Sequence, residues 1–451
     1  MSTRAALLLL FATGAIACSR VGLSYLDAEM DACWPHCPGG DIDAGFGTAG
    51  VFRLDVGGFD NVDWGAQGID LQPDGRIVVA GVAGTSTNRD MLVMRLHEDG
   101  TLDSGFGANG LAVIDFGTPT DVAESVRVQS DGSLVVAGQS GVRTGVARLL
   151  TNGLLDPSFA ATGYRSLALT ADSELVNGQV TLANGDLRLC GQGLVTSGSP
   201  TLVDMLVYGL HGDGTLDSAF PSTAPGGLAA IDFFASDEFA SCDVIDASGR
   251  LIVAGATWHD VTGFDFALAR LLPDGTYDPT FTDGAGLPGR VVTDFSGTDD
   301  GTAQCATPGD NSLVCAGSTG DATGSRFGVV RYLATGALDP AFGTNGKVTI
   351  DMGDGAEVRA VVVLGDGRLV VGGFATSTRG DRDLALAVCD ADGTLASGFG
   401  EGGRWFFDVG AAQRDDAIHA LRVDARGRLV IYGDTSSAPG NNDIVVMRVS
   451  L

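Results

Sequence analysis

The chain has 451 residues, of which 68 are glycine, and hydrophobic residues make up 44% of it, which argues against an intrinsically disordered protein. Its 27 basic and 56 acidic residues give a formal net charge of −29. This charge argues against nucleic-acid binding, because phosphates are bound by Lys and Arg. The acidic excess is compatible with cations or basic partners, and it also contributes to solubility.

The N-terminal segment predicts export. Residues 1–17 contain one Arg, an apolar run too short to span a membrane, and small residues, which is the pattern of a signal peptide. The sequence AIAC, ending at Cys18, fits ordinary signal cleavage and also resembles a bacterial lipobox, although Ala15 replaces its usual Leu. The residue after this Cys is Ser19 rather than Asp, which resembles the lipoproteins that are sorted to the outer membrane. We therefore expect an outer-membrane lipoprotein anchored through Cys18 and facing the periplasm or the cell surface; the alternative is a secreted or periplasmic soluble protein.

A short linker is predicted between the signal peptide and the folded domain. Residues 18–40 contain Cys33 and Cys37, which are close enough in sequence to form a disulfide in an exported chain. The CxxxC sequence, with His36 inside it, could instead hold a metal ion, but no second pair of ligands is evident. We assign residues 41–451 to a single domain.

The other cysteines have two interpretations. Cys305 and Cys315 flank a predicted hairpin turn, so they could face each other and pair, but the sequence leaves this open. Cys190, Cys242 and Cys389 are interpreted as small core residues.

Four short phrases recur along the domain. Their clearest copies are LDPSF, DGRIVVAG, DFALARL and VVTDF. The spacing between successive copies is 53 to 61 residues, which indicates a repeat architecture. The set occurs seven times, and the Phe of the first phrase is found at Phe46, Phe106, Phe159, Phe220, Phe281, Phe342 and Phe399.

Each repeat predicts four short β-strands. The phrases show period-2 alternation and many β-branched residues, Asp-Gly turns separate them, and helical periodicity is absent. Seven such units predict an all-β protein, a seven-bladed β-propeller of four-stranded antiparallel blades. The first predicted strand of the domain, residues 51–56, has the pattern of the fourth, outer strand of a repeat. The last one, in residues 443–451, has the pattern of the third strand. We therefore predict that the N-terminal strand 51–56 completes the blade of residues 417–451, which leaves no open blade edge.

The repeats resemble the bacterial delta-60 repeat, a propeller-forming family, and more distantly the NHL repeat. The resemblance is carried by LDPSF, PDGRIVVAG and DFALARL and covers about residues 41–451. It implies the fold but little about function, because the family has no common catalytic motif to carry over.

The phrase RLLPDGTYDPTF, residues 270–281, predicts an ion pair. A Pro-Asp-Gly turn with a bulge Gly places Arg270 opposite Asp278. The third repeat has Gly209 with Asp217, and the sixth has neither partner, with Val388 facing Ala396. We expect structural ion pairs, rather than a ring of ligand-binding arginines, at Arg95–Asp103, Arg148–Asp156, Arg270–Asp278, Arg331–Asp339 and, across the closure, Arg448–Asp43.

The loops from each outer strand to the next inner strand are acidic, and seven-fold geometry would gather their side chains around one opening. Such a ring could bind Ca²⁺ through oxygen ligands or attract a basic partner, whereas the simpler alternative is that each Asp caps its own turn. The acidic residue before the inner strand recurs at Asp63, Asp121, Asp172, Asp237, Asp300 and Asp416.

Enzyme signatures are sparse. The sequence contains no HExxH, no GxSxG and no phosphate-binding loop with a Lys. His419, near Asp415 and Asp416 on the seventh inner strand, is the one candidate for catalysis, and a packed strand residue is the alternative.

We therefore expect a monomeric, non-catalytic binding or scaffold protein of the cell envelope with a protein or glycan partner and no cofactor other than a potential Ca²⁺. The alternative is a carbohydrate-active hydrolase or lyase with its site at the channel mouth. A third possibility is an adhesive module, which would show an exposed aromatic patch; Trp64 and Trp258 lie in predicted loops.

Overall fold

The computed structural model describes residues 40–55, 68–85, 87–168, 174–195, 202–223, 226–284, 286–295, 299–321, 324–353, 355–409, 414–438 and 441–451. Several of the predictions above lie outside these residues. They concern the signal peptide, Cys18, Cys33, Cys37, Asp63, Trp64 and Asp172, and the side chain of Cys242 also lies outside the described part.

The described residues form seven antiparallel sheets of four strands, which confirms the predicted seven-bladed β-propeller. Blade 1 contains β2 (Ile69–Leu71), β3 (Ile77–Thr85), β4 (Asn88–Leu96) and β5 (Leu111–Ile114). Blade 2 contains β6 (Asp121–Val128), β7 (Leu134–Ser140), β8 (Arg143–Leu149) and β9 (Tyr164–Leu167). Blade 3 contains β10 (Glu174–Thr181), β11 (Leu187–Val195), β12 (Leu202–Leu210) and β13 (Leu228–Ile231).

Blade 4 contains β14 (Glu238–Ile245), β15 (Leu251–His259), β16 (Gly263–Leu271) and β17 (Arg290–Thr293). Blade 5 contains β18 (Gly301–Ala306), β19 (Leu313–Asp321), β20 (Gly324–Tyr332) and β21 (Lys347–Ile350). Blade 6 contains β22 (Glu357–Val363), β23 (Leu369–Thr376), β24 (Arg382–Cys389) and β25 (Arg404–Phe407). Blade 7 contains β26 (Asp416–Val423), β27 (Leu429–Ala438), β28 (Asn441–Val449) and β1 (Val51–Leu54).

The two ends of the chain close the ring as predicted. Strand β1 pairs antiparallel with β28, with Val51 opposite Met447 and Leu54 opposite Ile444. The strand ends at Leu54, two residues before the predicted boundary. The inner strands β2, β6, β10, β14, β18, β22 and β26 contact one another in order around the ring, and β26 contacts β2. No blade therefore carries a free outer edge at the closure.

A β-bulge explains the recurring Gly of the DGRIVVAG phrase. Six inner strands, those of blades 2 to 7, change register at the same point opposite this Gly. At Gly255 an added Cβ would lie 1.8 Å from the Phe239 carbonyl oxygen, and at Gly138 it would lie 2.1 Å from that of Val122. The bulged strand thus approaches too closely for any side chain at this position.

The hydrophobic core lies between neighbouring blades. In blade 4, Phe266 and Leu268 of β16 pack against blade 5, where they meet Val330 and Tyr332 of β20. Within the same cluster, Cys305 and Cys315 face each other across β18 and β19 and are joined by a disulfide. The buried faces of adjacent sheets therefore hold the ring together by apolar contact.

Candidate functional site

The end of the third strand and the turn to the outer strand contain the Arg and the Asp of the phrase RLLPDGTYDPTF. Arg270 Nε donates to Asp278 Oδ2 at 2.9 Å, and its guanidinium carbon lies 4.5 Å from the centre of the Phe281 ring. The corresponding Nε–Oδ2 distances in the other blades are 2.8 Å for Arg95–Asp103, 2.7 Å for Arg148–Asp156, 2.7 Å for Arg331–Asp339 and 2.8 Å for Arg448–Asp43.

Each of these arginines also reaches the next blade. Arg270 Nη1 donates to the Ala334 carbonyl of blade 5 at 2.6 Å. The buried Phe281 ring of blade 4 lies against Gly336 in the same turn of blade 5, where an added Cβ would be 3.1 Å from the ring. We call the Arg, the Asp and the Phe together the inter-blade clip. Its polar contacts and its packing are directed at neighbouring protein atoms, which fits a structural role.

The third blade builds its clip from another strand. Gly209 stands where the other repeats have Arg, but Arg188 lies directly opposite it on β11 and places Nη2 3.1 Å from Asp217 Oδ2. The Arg188 guanidinium carbon lies 4.3 Å from the centre of the Phe220 ring. An added Cβ at Gly209 would lie 2.9 Å from that ring, so the Phe occupies the space of the usual side chain.

The opposite end of the ring carries the chain segments that lead from each outer strand to the next inner strand, which we call crossovers. At three crossovers, an acidic side chain at the start of the inner strand accepts the N–H of the second residue after the preceding outer strand. Asp121 accepts from Phe116 at 2.9 Å, Asp300 from Phe295 at 2.7 Å and Asp416 from Val409 at 2.6 Å.

The remaining residues of the expected acidic ring occupy different positions. In blade 4 the position equivalent to Asp121 is occupied by Glu238, and Asp237 lies one residue before it. The Oδ1 of Asp237 accepts a hydrogen bond from the N–H of Val203 at 3.0 Å. In blade 3 the equivalent position is held by Glu174, while Asp172 and Asp63 lie outside the described residues. The acidic residues therefore belong to separate crossovers, each beside its preceding blade.

At three crossovers the acidic residue is joined by two carboxylates of the preceding blade. One comes from the start of the third strand and one from the residue after the outer strand. In each group the potential ligand atoms all lie within 4.8 Å of one another. We call these groups the crossover clusters; they are Asp90, Asp115 and Asp121; Asp265, Asp294 and Asp300; and Asp383, Asp408 and Asp416.

Burial, together with repulsion from neighbouring carboxylates, raises the pKa of several carboxyl groups at the crossovers. Burial, reinforced by Asp408, raises the pKa of Asp383 to about 6, and burial also raises that of Asp416 to about 7. At a fourth crossover, burial raises the pKa of Asp204 to about 6 and that of Glu238 to about 7. A proton or a nearby cation would relieve the cost of burying such a carboxylate.

His419, the candidate for catalysis, is buried and bonded to an acidic residue other than the expected ones. Its Nε2 lies 2.7 Å from Asp434 Oδ1, and the Asn442 amide donates to the other oxygen of Asp434. His419 is the residue inserted by the bulge of β26, between Ile418 and Ala420. The sequence could not show this partner, because the bulge changes the direction of the side chain.

Blade 4 presents exposed aromatic side chains at the crossover end. Trp258 is 40% exposed and Phe234 43% exposed, and Val261 in the intervening turn is 82% exposed. Trp258 contacts Phe264 with ring centres 5.1 Å apart, and Phe234 contacts His259 at 5.5 Å. We call these five residues the aromatic rim. Sequence reasoning selected only Trp258, because the rim joins two strand ends and a crossover.

The aromatic rim is held in place and lies among acidic residues. The Trp258 backbone N–H donates to the Asp237 carbonyl at 3.0 Å, and the Ser236 hydroxyl donates to the Trp258 backbone carbonyl at 2.8 Å. The adjoining crossover, 232–238, and the strand ends, 258–265, contain five acidic residues and neither Lys nor Arg. The rim therefore places exposed aromatic rings beside acidic residues, of which Asp232 and Asp260 are exposed.

A cleft of about 600 Å³ lies at the other end of the ring, between blades 7 and 1. Its charged groups pair with one another: Arg426 Nη1 lies 2.9 Å from Glu98 Oε1, and Arg76 pairs with Asp74. Arg448 in its wall belongs to the clip with Asp43. The cleft is thus part of the seam where the two chain ends meet.

A family model described as a domain of unknown function (DUF5122) β-propeller matches residues 72–106, 129–159, 247–281 and 309–342. No curated protein matches the chain. In the part of the chain that the structure describes, there is no helix long and apolar enough to cross a membrane.

Solved structures share the fold at low sequence identity. An ulvan lyase, a polysaccharide lyase, has a TM-score of 0.53 and 11% identity, covering 89% of this chain and 95% of its own. Virginiamycin B lyase from Staphylococcus aureus has a TM-score of 0.50 and 12% identity, with 89% and 99% covered. Sqt1 from Chaetomium thermophilum, bound to the N-terminus of ribosomal protein L10, has a TM-score of 0.45 and 13% identity, with 89% and 100% covered. At these identities the two lyases show the fold alone. The four matched segments support a propeller repeat family, the one that contains the delta-60 type of repeat.

Proposed function

We propose that this propeller is a non-catalytic binding protein of the cell envelope, exported and anchored through a lipid on Cys18, which binds a basic protein segment at the aromatic rim. The single observation that carries the proposal is the exposure of Trp258 and Phe234 on one blade, beside acidic residues. Monomeric soluble proteins seldom leave such groups exposed together unless they bind a partner.

The chemistry of the rim favours Lys or Arg side chains of a partner. Aromatic faces attract ammonium and guanidinium groups, and Trp gives the strongest of these contacts. The surrounding carboxylates and the net charge of −29 attract positive charge over longer distances and increase association rates. The bonds from Ser236 and to Asp237 fix the backbone at Trp258, and Phe264 packs against its ring, so little ordering is needed on binding.

Two observations support export and the absence of catalysis. The Cys305–Cys315 disulfide fits an oxidising compartment. The candidate catalytic residue, His419, is buried and its Nε2 is engaged by Asp434, which suits a packed residue better than one that meets a substrate.

Affinity capture tests the proposal. The full chain is used to capture partners from envelope extract, alongside a Trp258→Ala/Phe234→Ala variant and a matched Phe406→Ala variant, since Phe406 is 46% exposed on an outer strand of blade 6. The wild type and Phe406→Ala should retain the same basic protein, released by salt, and the rim variant should lose it. Equal retention by all three would refute binding at the rim.

A further inference from the structure

The crossover cluster between blades 4 and 5 contains a buried carboxylate oxygen that no described residue satisfies. Asp265 is only 3% exposed, and its Oδ2 accepts a hydrogen bond from the Thr262 hydroxyl at 2.5 Å. Its Oδ1 is buried and accepts no hydrogen bond from the described residues. A buried carboxylate oxygen without a donor is costly, so this atom requires a proton or a cation.

The neighbouring carboxylates have the arrangement of a cation site. Asp265, Asp294 and Asp300 each offer an oxygen, and these oxygens lie within 4.8 Å of one another. Asp300 is held by the Phe295 N–H, which donates to its Oδ2 at 2.7 Å. The carboxylates come from three successive chain segments, so an ion between them would fasten the crossover to both blades.

At two other junctions between blades, an arginine lies beside a carboxylate that corresponds to one of this cluster. Between blades 5 and 6, Arg326 occupies the strand position of Asp265, and its Nε lies 3.6 Å from Asp351 Oδ1. The third carboxylate is absent there, because Ala356 stands in its place. At the closure, Arg53 Nη2 lies 2.6 Å from the buried Asp443 Oδ2.

We propose that the three crossover clusters bind divalent cations, with Ca²⁺ as the preferred ion, in the place that an arginine guanidinium takes at those two junctions. Carboxylate oxygens are the ligands of a hard cation, and none of the three clusters contains a Cys or His ligand that would favour zinc. Ca²⁺ takes six to eight oxygens, so water and nearby hydroxyl or carbonyl groups complete the shell. The affinity expected is that of extracellular modules, with Kd about 10⁻⁴ to 10⁻³ M.

Calorimetric titration of the metal-free full chain with CaCl₂ tests this proposal. The decisive variant is Asp265→Arg/Asp300→Ala, which gives the blade 4–5 crossover the residues of the blade 5–6 crossover. Asp260→Asn, at an exposed site in the same loop region, is the matched control for lost charge. Thermal unfolding is followed in parallel with EDTA and with Ca²⁺.

We expect about three ions per wild-type chain, one fewer in the Asp265→Arg/Asp300→Ala variant, and no change in the control. Ca²⁺ should raise the melting temperature of the wild type by a few degrees, because an ion that binds only the folded state stabilises it. If the double variant fails to fold, Asp416→Asn, which weakens the blade 6–7 cluster, should likewise remove one ion. Absence of heat and of any thermal shift in the wild type, or an unchanged stoichiometry in the folded variants, would overturn the proposal.

Discussion

Replacing Arg270 by Met should destabilise the ring through a single inter-blade clip. Met keeps most of the apolar side-chain volume but removes the guanidinium. The substitution eliminates the Nε bond to Asp278, the Nη1 bond to the Ala334 carbonyl and the Nη2 bond to the Thr280 hydroxyl. It also removes the charge that lies over the Phe281 ring.

The size of the effect follows from the charge that remains. Breaking a buried ion pair on one side costs about 3–5 kcal/mol, since the partner is left buried and unpaired. Here Arg250 Nη1 still lies 3.2 Å from Asp278 Oδ2, so compensation is partial. We therefore expect a loss of about 3 kcal/mol in the free energy of unfolding.

Urea unfolding followed by circular dichroism measures this loss. Arg426→Met is the matched control, because its side chain is 66% exposed and its pair with Glu98 should contribute less than about 1 kcal/mol. The sixth blade suggests a second comparison: Arg270→Val/Asp278→Ala copies Val388 and Ala396 and should recover part of the loss. If Arg270→Met were no more destabilising than the control, the claim that the inter-blade clip stabilises the ring would be refuted.

Three further predictions concern other parts of the molecule. Arg188→Met should destabilise blade 3 as much as Arg270→Met destabilises blade 4, because Arg188 supplies the guanidinium that Gly209 cannot; urea unfolding checks this, and a neutral result would contradict it. Burial, together with Asp232 and Asp204, raises the pKa of Glu238 to about 7, so the folded protein keeps a proton that the unfolded chain loses above its ordinary value of 4.5. Stability in EDTA should therefore fall as the pH rises from about 4.5 to about 7, and Glu238→Gln should reduce that fall by roughly 1–3 kcal/mol in urea titrations at each pH; a variant with the wild-type pH profile would contradict this. Finally, Cys18→Ala should move the protein from the membrane fraction to the soluble fraction of the envelope, and continued membrane association would argue against the lipid anchor.

The fold could be predicted from the sequence because the residues that fix the blade geometry recur in the repeats. The Gly of DGRIVVAG recurs since the bulge leaves no room for a Cβ, and the Arg and Asp of the turn phrase recur since they fasten adjacent blades. The closure could be predicted from strand type alone, since Val51 begins an outer strand that blade 7 lacks.

The site was less accessible to sequence reasoning. The acidic residues before the inner strands were selected, but their partners Asp265 and Asp294 were read only as parts of strand patterns. Asp265 is distant in sequence from Asp294 and Asp300, and only the path of the crossover past the end of β16 brings the three together. Arg188 was missed for a similar reason, because its clip uses the strand beside the expected one.

The central claim, that the aromatic rim binds an envelope partner, is tested most directly by photo-crosslinking in the cells that produce the protein. A photoreactive phenylalanine analogue replaces Trp258 in one strain and Phe406 in another. The claim predicts a discrete crosslink to one basic envelope protein from position 258 and none from position 406. The same products from both positions, or none from position 258, would contradict it.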